Sequence, residues 1–221
     1  TKIKVSVTLQ LSDVNEAAKT VMKMETKVIS ENDASSTVYG LRVGDRQLSL
    51  GVADGYRCWS VFESDNIANA PVIPSLTISS YTGTFSDGEQ ILGSVSKATA
   101  LVVNDDAAGT LQFVYQTGTF TSLDSITGQT TKETANVVTT NAYSEDISEK
   151  YSFDGGQRDG YYDLARITRR GNESAPTGQI AIIFDYFTHS SGEYFSVDSY
   201  ANQVEYDLLP TYSGESVGDQ M

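Results

Sequence analysis

The chain has 221 residues, 39% of them apolar and 20% charged, and its formal charge is 15 − 29 = −14. Its purely apolar runs, such as residues 180–184, fall far short of the ~20 residues a membrane-spanning helix needs. A pI near 4.3 argues against nucleic acid as a partner and against attraction to an anionic membrane surface, since both are driven by Lys and Arg.

Thirteen Tyr and eight Phe supply enough apolar surface for a folded core. A single Cys (Cys58) cannot form an internal disulfide, and a single His (His189) cannot build a His-based metal cluster. No cofactor and no metal is expected. The opening Thr1-Lys2-Ile3, without Met or an apolar signal core, reads as a piece of a longer polypeptide or a processed product.

In chain order, period-2 alternation predicts strands over 2–11, 21–29, 38–43, 47–52 and 57–63. In 21–29, Met22, Met24, Thr26 and Val28 alternate with Lys23, Glu25 and Lys27. Residues 14–20 carry helix-favouring side chains behind Asp13 as N-cap, which predicts a turn of helix at most. The class is all-β.

An internal repeat occupies the middle. A gapless shift of 35 residues aligns 81–103 with 116–138, and 11 of the 23 positions are identical, including Gly83/Gly118, Phe85/Phe120, Ile91/Ile126 and Gly93/Gly128. The phase extends back to Leu76/Leu111, so the copies span 75–103 and 110–138. Each reads as three short strands, with Gly93 or Gly128 allowing a bend or positive φ before the third. Neither copy could bury its apolar face alone, and two copies are too few for a solenoid. A closed module over 75–140, with its halves related by a pseudo-twofold, is expected.

Beyond it, strands are predicted over 161–169, 179–187 and 194–200, with Ser190-Ser191-Gly192 as a hairpin turn. The apolar run in 179–187 fits a central strand covered on both faces. Residues 1–74 and 141–221 are expected to form one discontinuous, immunoglobulin-like β-sandwich carrying the duplicated module as an insertion; the rival is three small β domains in series. The acidity is local. Residues 1–80 hold 9 acidic against 8 basic groups, whereas 141–221 hold 14 against 5.

Asp154, Asp159 and Asp163 could pair for sugar chemistry or ligate calcium, but EF-hand spacing is missing and glycine beside Asp is what a turn needs. They read as turn chemistry. His189 lies beside Ser190, yet no Gly-x-Ser-x-Gly elbow is present, so it reads as a turn or interface histidine. Cys58-Trp59 reads as core. Arg166, Arg169 and Arg170 cluster in the acidic third. They form either a solvated face or, with Tyr161 and Tyr162, an assembly interface pairing with carboxylates of a neighbouring subunit.

Particular strings resemble a known family: LGVADGYRCWSVFES at 50–64, the paired Gly-Thr-Phe…Ile-x-Gly repeats, YSFDGGQRDGYYDLARI at 151–167 and PTGQIAIIFDYFTHSSGEYFSVDSY at 176–200. They look like segments of the large tail, baseplate or fibre-associated virion structural proteins of tailed bacteriophages, of the marine myovirus and cyanophage type. The resemblance covers most of 45–212 and is strongest in 151–200. It implies a non-enzymatic architectural role with no catalytic residues to carry over. The implied partners are other virion tail proteins and copies of the chain itself, and the implied place is the virion tail, assembled in the host cytoplasm. The alternative is an adhesin module that binds a receptor or host surface glycan through stacked tyrosines.

Overall fold

The computed structural model describes residues 12, 14–31, 39–158, 161–201 and 203–204. The protein is all-β. Its strands are β1 (Lys19–Ile29), β2 (Gln47–Ala53), β3 (Gly55–Glu63), β4 (Ser75–Ser79), β5 (Gln90–Gly93), β6 (Thr99–Asp105), β7 (Thr110–Thr117), β8 (Ser125–Gly128), β9 (Thr134–Thr140), β10 (Glu145–Asp146), β11 (Tyr151–Asp154), β12 (Leu164–Arg169) and β13 (Ile180–His189).

Strands from both ends of the described chain pair with one another. One sheet has the order β1-β13-β3-β10 and a second β11-β12-β2. They share a core in which Ile29, Val61, Ile180, Ile182 and Phe184 of the first sheet meet Leu48, Leu50, Tyr151, Ala165 and Ile167 of the second. The result is a sandwich-like pair of sheets. β13 lies between β1 and β3 and is buried continuously from Ile180 to Asp185, as the apolar run requires of a central strand.

Between these contributions, β4 to β9 close into a barrel of order β4-β7-β6-β5-β8-β9 with every pair antiparallel. The duplication is visible in the register. Ser75 faces Gln112, Leu76 faces Leu111 and Thr77 faces Thr110. Ile91 faces Gly128, Leu92 faces Thr127 and Gly93 faces Ile126. Exchanging the copies by 35 residues maps each set of pairs onto itself, so a pseudo-twofold axis passes through Leu76/Leu111 and Leu92/Thr127. The barrel core obeys the same operation: Leu76/Leu111, Ile78/Phe113, Phe85/Phe120, Ile91/Ile126, Ala100/Ala135 and Val102/Val137 are all buried, with only Ala98 outside these pairs. Each copy therefore supplies half of a core that it could not close alone.

A bulge docks the barrel on the sandwich. Along β1 the ladder with β13 shifts between Met22 and Glu25, and Met24 adopts φ 55°. The extra residue rotates the strand, leaving Met22 and Val28 exposed and burying Lys19, Met24 and Ile29. Met24 then packs with Phe62 and Ile183 against Leu101, Val103 and Val114 of the barrel. The simple alternation expected over 21–29 is broken for this reason.

Four other expectations are corrected. Residues 14–18 hold no helix: Ala17 donates to the Tyr194 carbonyl (2.9 Å) and Glu193 to that of Asn15 (2.9 Å), so their backbone groups pair across the chain. Residues 194–200 are not a strand but a bridge at Tyr194 and a 3-10 turn at Asp198–Tyr200, so Ser190-Ser191-Gly192 is not a hairpin turn. In 38–43 the described residues 39–43 form turns with one bridge at Arg42, held by the Asp45 carboxylate, which accepts the Gly40 amide N–H (2.5 Å). At Gly93 and Gly128 the expected bend is present, as turns over 94–96 and 129–131, but neither glycine has positive φ; that conformation falls four residues later, on the equivalent Lys97 (φ 59°) and Lys132 (φ 65°). The strand expected over 2–11, the Asp13 cap and Val38 lie outside the described residues.

Candidate functional site

A buried polar cluster lies where β2 passes into β3. A single residue, Asp54, connects them with φ 53°, a left-handed conformation that Asp tolerates better than most residues. The chain thereby steps from one sheet to the other. Gly55 must follow, since a Cβ there would lie 2.7 Å from Ala165 Cβ and 2.8 Å from Phe153 Cζ.

The step places the Asp54 carboxylate fully inside, at 0% exposure, against Lys19 at 1%. Lys19 Nζ lies 2.5 Å from Asp54 Oδ2 and donates to Tyr162 Oη at 2.9 Å. His189 Nε2 is 2.6 Å from Oδ2, and the Gln157 amide donates to Oδ1 at 2.8 Å. Four rings surround the ammonium, with centroids at 4.8 Å (Tyr162), 5.4 Å (Phe187), 4.8 Å (Phe195) and 5.0 Å (Tyr200).

Removing two charges from water costs several kcal/mol per ion, and cation–π contacts return roughly 0.5–2 kcal/mol each. The four rings offset part of the cost of burying the ammonium, and the Asp54 carboxylate supplies its counter-charge. Burial works to lower the Lys19 pKa, but the hydrogen bonds to Asp54 and Tyr162 and the Asp54 charge outweigh it, and the group sits above the ordinary lysine value. Gln203 extends the cluster, donating to the Lys19 carbonyl (2.8 Å) and accepting the Val21 amide N–H (2.8 Å).

A second feature is a cleft of about 310 Å³ between sandwich and barrel, lined by Lys23, Tyr56, Arg57, Trp59, Gln116 and Asp185 among others. The Arg57 guanidinium stacks on Tyr56 at 4.3 Å and on Trp59 at 5.4 Å. Asp185, 4% exposed, accepts the amide N–H of the bulge residue Met24 at 2.8 Å. Burial raises its pKa.

The residues singled out from the sequence divide between several places. Arg166 reaches Asp154 (3.2 Å) and pairs with Asp163, while Arg158 reaches Asp154 (2.7 Å) and Asp163 (3.6 Å). Hydrogen bonding from Arg158, with help from the Gly156 amide and Arg166, takes the Asp154 pKa down to about 2. These carboxylates face guanidiniums within the chain; Asp159 lies outside the described residues. Arg169 donates to the Gly44 (3.3 Å) and Asp45 (3.2 Å) carbonyls, and Arg170 to that of Tyr151 (3.3 Å). The three arginines thus have intrachain partners that spacing did not reveal. Tyr161 is 65% exposed, whereas Tyr162 turns into the Lys19 cluster. Cys58 is half-buried against the sandwich core, and burial pushes its thiol up to about 12.

Sequence reasoning passed over Lys19, Asp54, Gln157 and Phe195. They come from four separate segments, and the one available signal was a lone histidine in an otherwise His-free chain. No family model, no curated protein and no solved structure matches the chain.

Proposed function

We propose that this chain is a non-enzymatic structural module of a tailed-phage virion, baseplate or fibre-proximal, that connects neighbouring subunits: other tail proteins and copies of itself. Residues 151–200, whose wording most resembles such proteins, supply much of the Lys19 cluster. The observation that carries the reading is where that cluster sits. Lys19 is paired with His189 at one end of the β1–β13 ladder. Tension entering before β1 and leaving after β13 would peel the two strands apart from that end, and there side chains of five segments converge on one ammonium. A connector under tension needs its strongest fastening at that point.

Mass-spectrometric mapping of purified, dissociated virions tests the proposal. Peptides of this chain in tail fractions are expected; virions that lack them overturn it. A second reading, a glycan-binding adhesin, is favoured by the cleft, whose aromatic, guanidinium, amide and carboxylate groups suit a sugar. Saturable binding on a glycan array that is lost in Trp59→Ala would support it, and no binding would remove it.

A further inference from the structure

The geometry points to a covalent cross-link: the Lys19 amine and the Asp54 carboxyl condense to an intramolecular isopeptide bond, with His189 and Gln157 assisting. Four features bear on the chemistry. Nucleophile and electrophile are held together, Nζ lying 2.5 Å from Oδ2, so no encounter remains to be made. Both groups are excluded from water, at 1% and 0% exposure, which favours a neutral amide over two buried charges and opposes its hydrolysis. Gln157 donates to Oδ1, the oxygen on which charge develops during attack. His189 Nε2 contacts Oδ2, the oxygen that must leave.

The step balances without any co-reactant. The ammonium passes one proton to Oδ2, giving amine and carboxylic acid. The Nζ lone pair forms the N–Cγ bond while the Cγ–Oδ1 π pair moves onto Oδ1 beside the Gln157 amide. His189 takes a proton from Nζ and delivers it to the Oδ2 hydroxyl. The Cγ–Oδ2 bond then breaks, its electrons leave with the oxygen as water, and the Cγ–Oδ1 double bond re-forms. Products are one secondary amide and one water. Nothing in this rests on where the protein acts.

Intact-mass measurement of the full 221-residue chain tests the proposal directly. The expected mass is lower than that of the sequence by one water, and digestion should yield one branched peptide joining the segments that carry Lys19 and Asp54. Lys19→Arg, which keeps the cation but cannot condense in this way, should show the full sequence mass while retaining the far-UV circular dichroism of a β protein. His189→Ala should slow the loss of water. A wild-type chain that stays at the sequence mass on prolonged incubation, with linear peptides containing Lys19 and Asp54, overturns the proposal.

Discussion

Glu89 and Asp124 occupy equivalent positions of the two repeats, and the carboxylate of each closes a turn of the other copy. Asp124 accepts the Val95 and Ser96 amide N–H groups at 2.8 Å each, and Glu89 accepts those of Thr130 and Thr131 at 3.1 Å each. Each also binds its own copy, Asp124 at Thr121 (2.9 Å) and Glu89 at Ser86 (2.7 Å). Both are buried. The duplication is therefore held by reciprocal polar latches as well as by a shared apolar core.

Acid should loosen the barrel. Burial opposes ionisation of Asp124, but hydrogen bonds from Ser96, Thr121 and Val95 prevail and take its pKa from 3.8 to about 2; Glu89 is lowered in the same way. A depressed acid contributes stability above its unfolded pKa and loses it as pH falls through the folded value. Asp124 alone should contribute about 2 kcal/mol at neutral pH, lost between roughly pH 4 and pH 2. Urea unfolding followed against pH should show this loss in the wild type and a smaller one in Asp124→Asn.

The latches also explain two of the repeated glycines. A Cβ on Gly93 would lie 2.6 Å from Ser96 Oγ and 2.9 Å from Asp124 Oδ1, and one on Gly128 would lie 2.6 Å from Glu89 Oε2 and 2.7 Å from Thr131 Oγ1. Close approach to the carboxylate, rather than backbone freedom, requires glycine there. Gly93→Ala should cost about 1–3 kcal/mol by crowding. Combined with Asp124→Ala it should cost less than the sum, because both act on one latch. A double-mutant cycle from denaturant melts measures the coupling.

Asp185 is a buried carboxyl that the Met24 amide needs as an acceptor. Its pKa is raised, so it weakens the fold as pH rises through the folded value. Asp185→Asn, which keeps an acceptor without the charge, should leave thermal stability at pH 7 unchanged or higher. Asp185→Ala, which orphans the buried N–H of the bulge, should cost about 1–3 kcal/mol and loosen the barrel from the sandwich.

If the chain is a tail component as proposed, variants of Arg169 and Tyr161 should separate stability from assembly. Arg169→Ala removes donors to the Gly44 and Asp45 carbonyls and should cost about 1–2 kcal/mol in the isolated chain. Tyr161→Ser removes an exposed ring and should shift stability by no more than about 0.5 kcal/mol, while reducing recovery of the chain in assembled tails. Thermal melts and virion incorporation read the two effects.

Much of the fold was legible because its signals are local or periodic. The 35-residue repeat carried the three strands per copy, and the apolar run at 180–184 carried the central strand. Legibility failed where tertiary pairing overrode pattern. The bulge at Met24 reverses the faces of β1, and residues 14–18 pair with 193–194 instead of coiling. The Lys19 cluster was hidden for a related reason: a one-residue sheet crossing at Asp54 and the return of Phe195, Tyr200 and Gln203 to β1 bring together side chains far apart in sequence. The arginines were legible as a cluster, but most of their partners were not: Arg166 meets Asp154 only once β11 and β12 pair, and Arg169 and Arg170 reach backbone carbonyls distant in sequence.

The Lys19–Asp54 fastening is proposed to carry tension across the β1–β13 end. Single-molecule stretching of the chain held by its two ends tests it most directly. Wild type should unfold to a contour length shorter than that of Lys19→Arg by roughly 35 residues at ~3.6 Å each, about 125 Å, because the segment between the joined residues stays out of the load path. Equal contour lengths, with unfolding forces that also do not differ, would contradict the account.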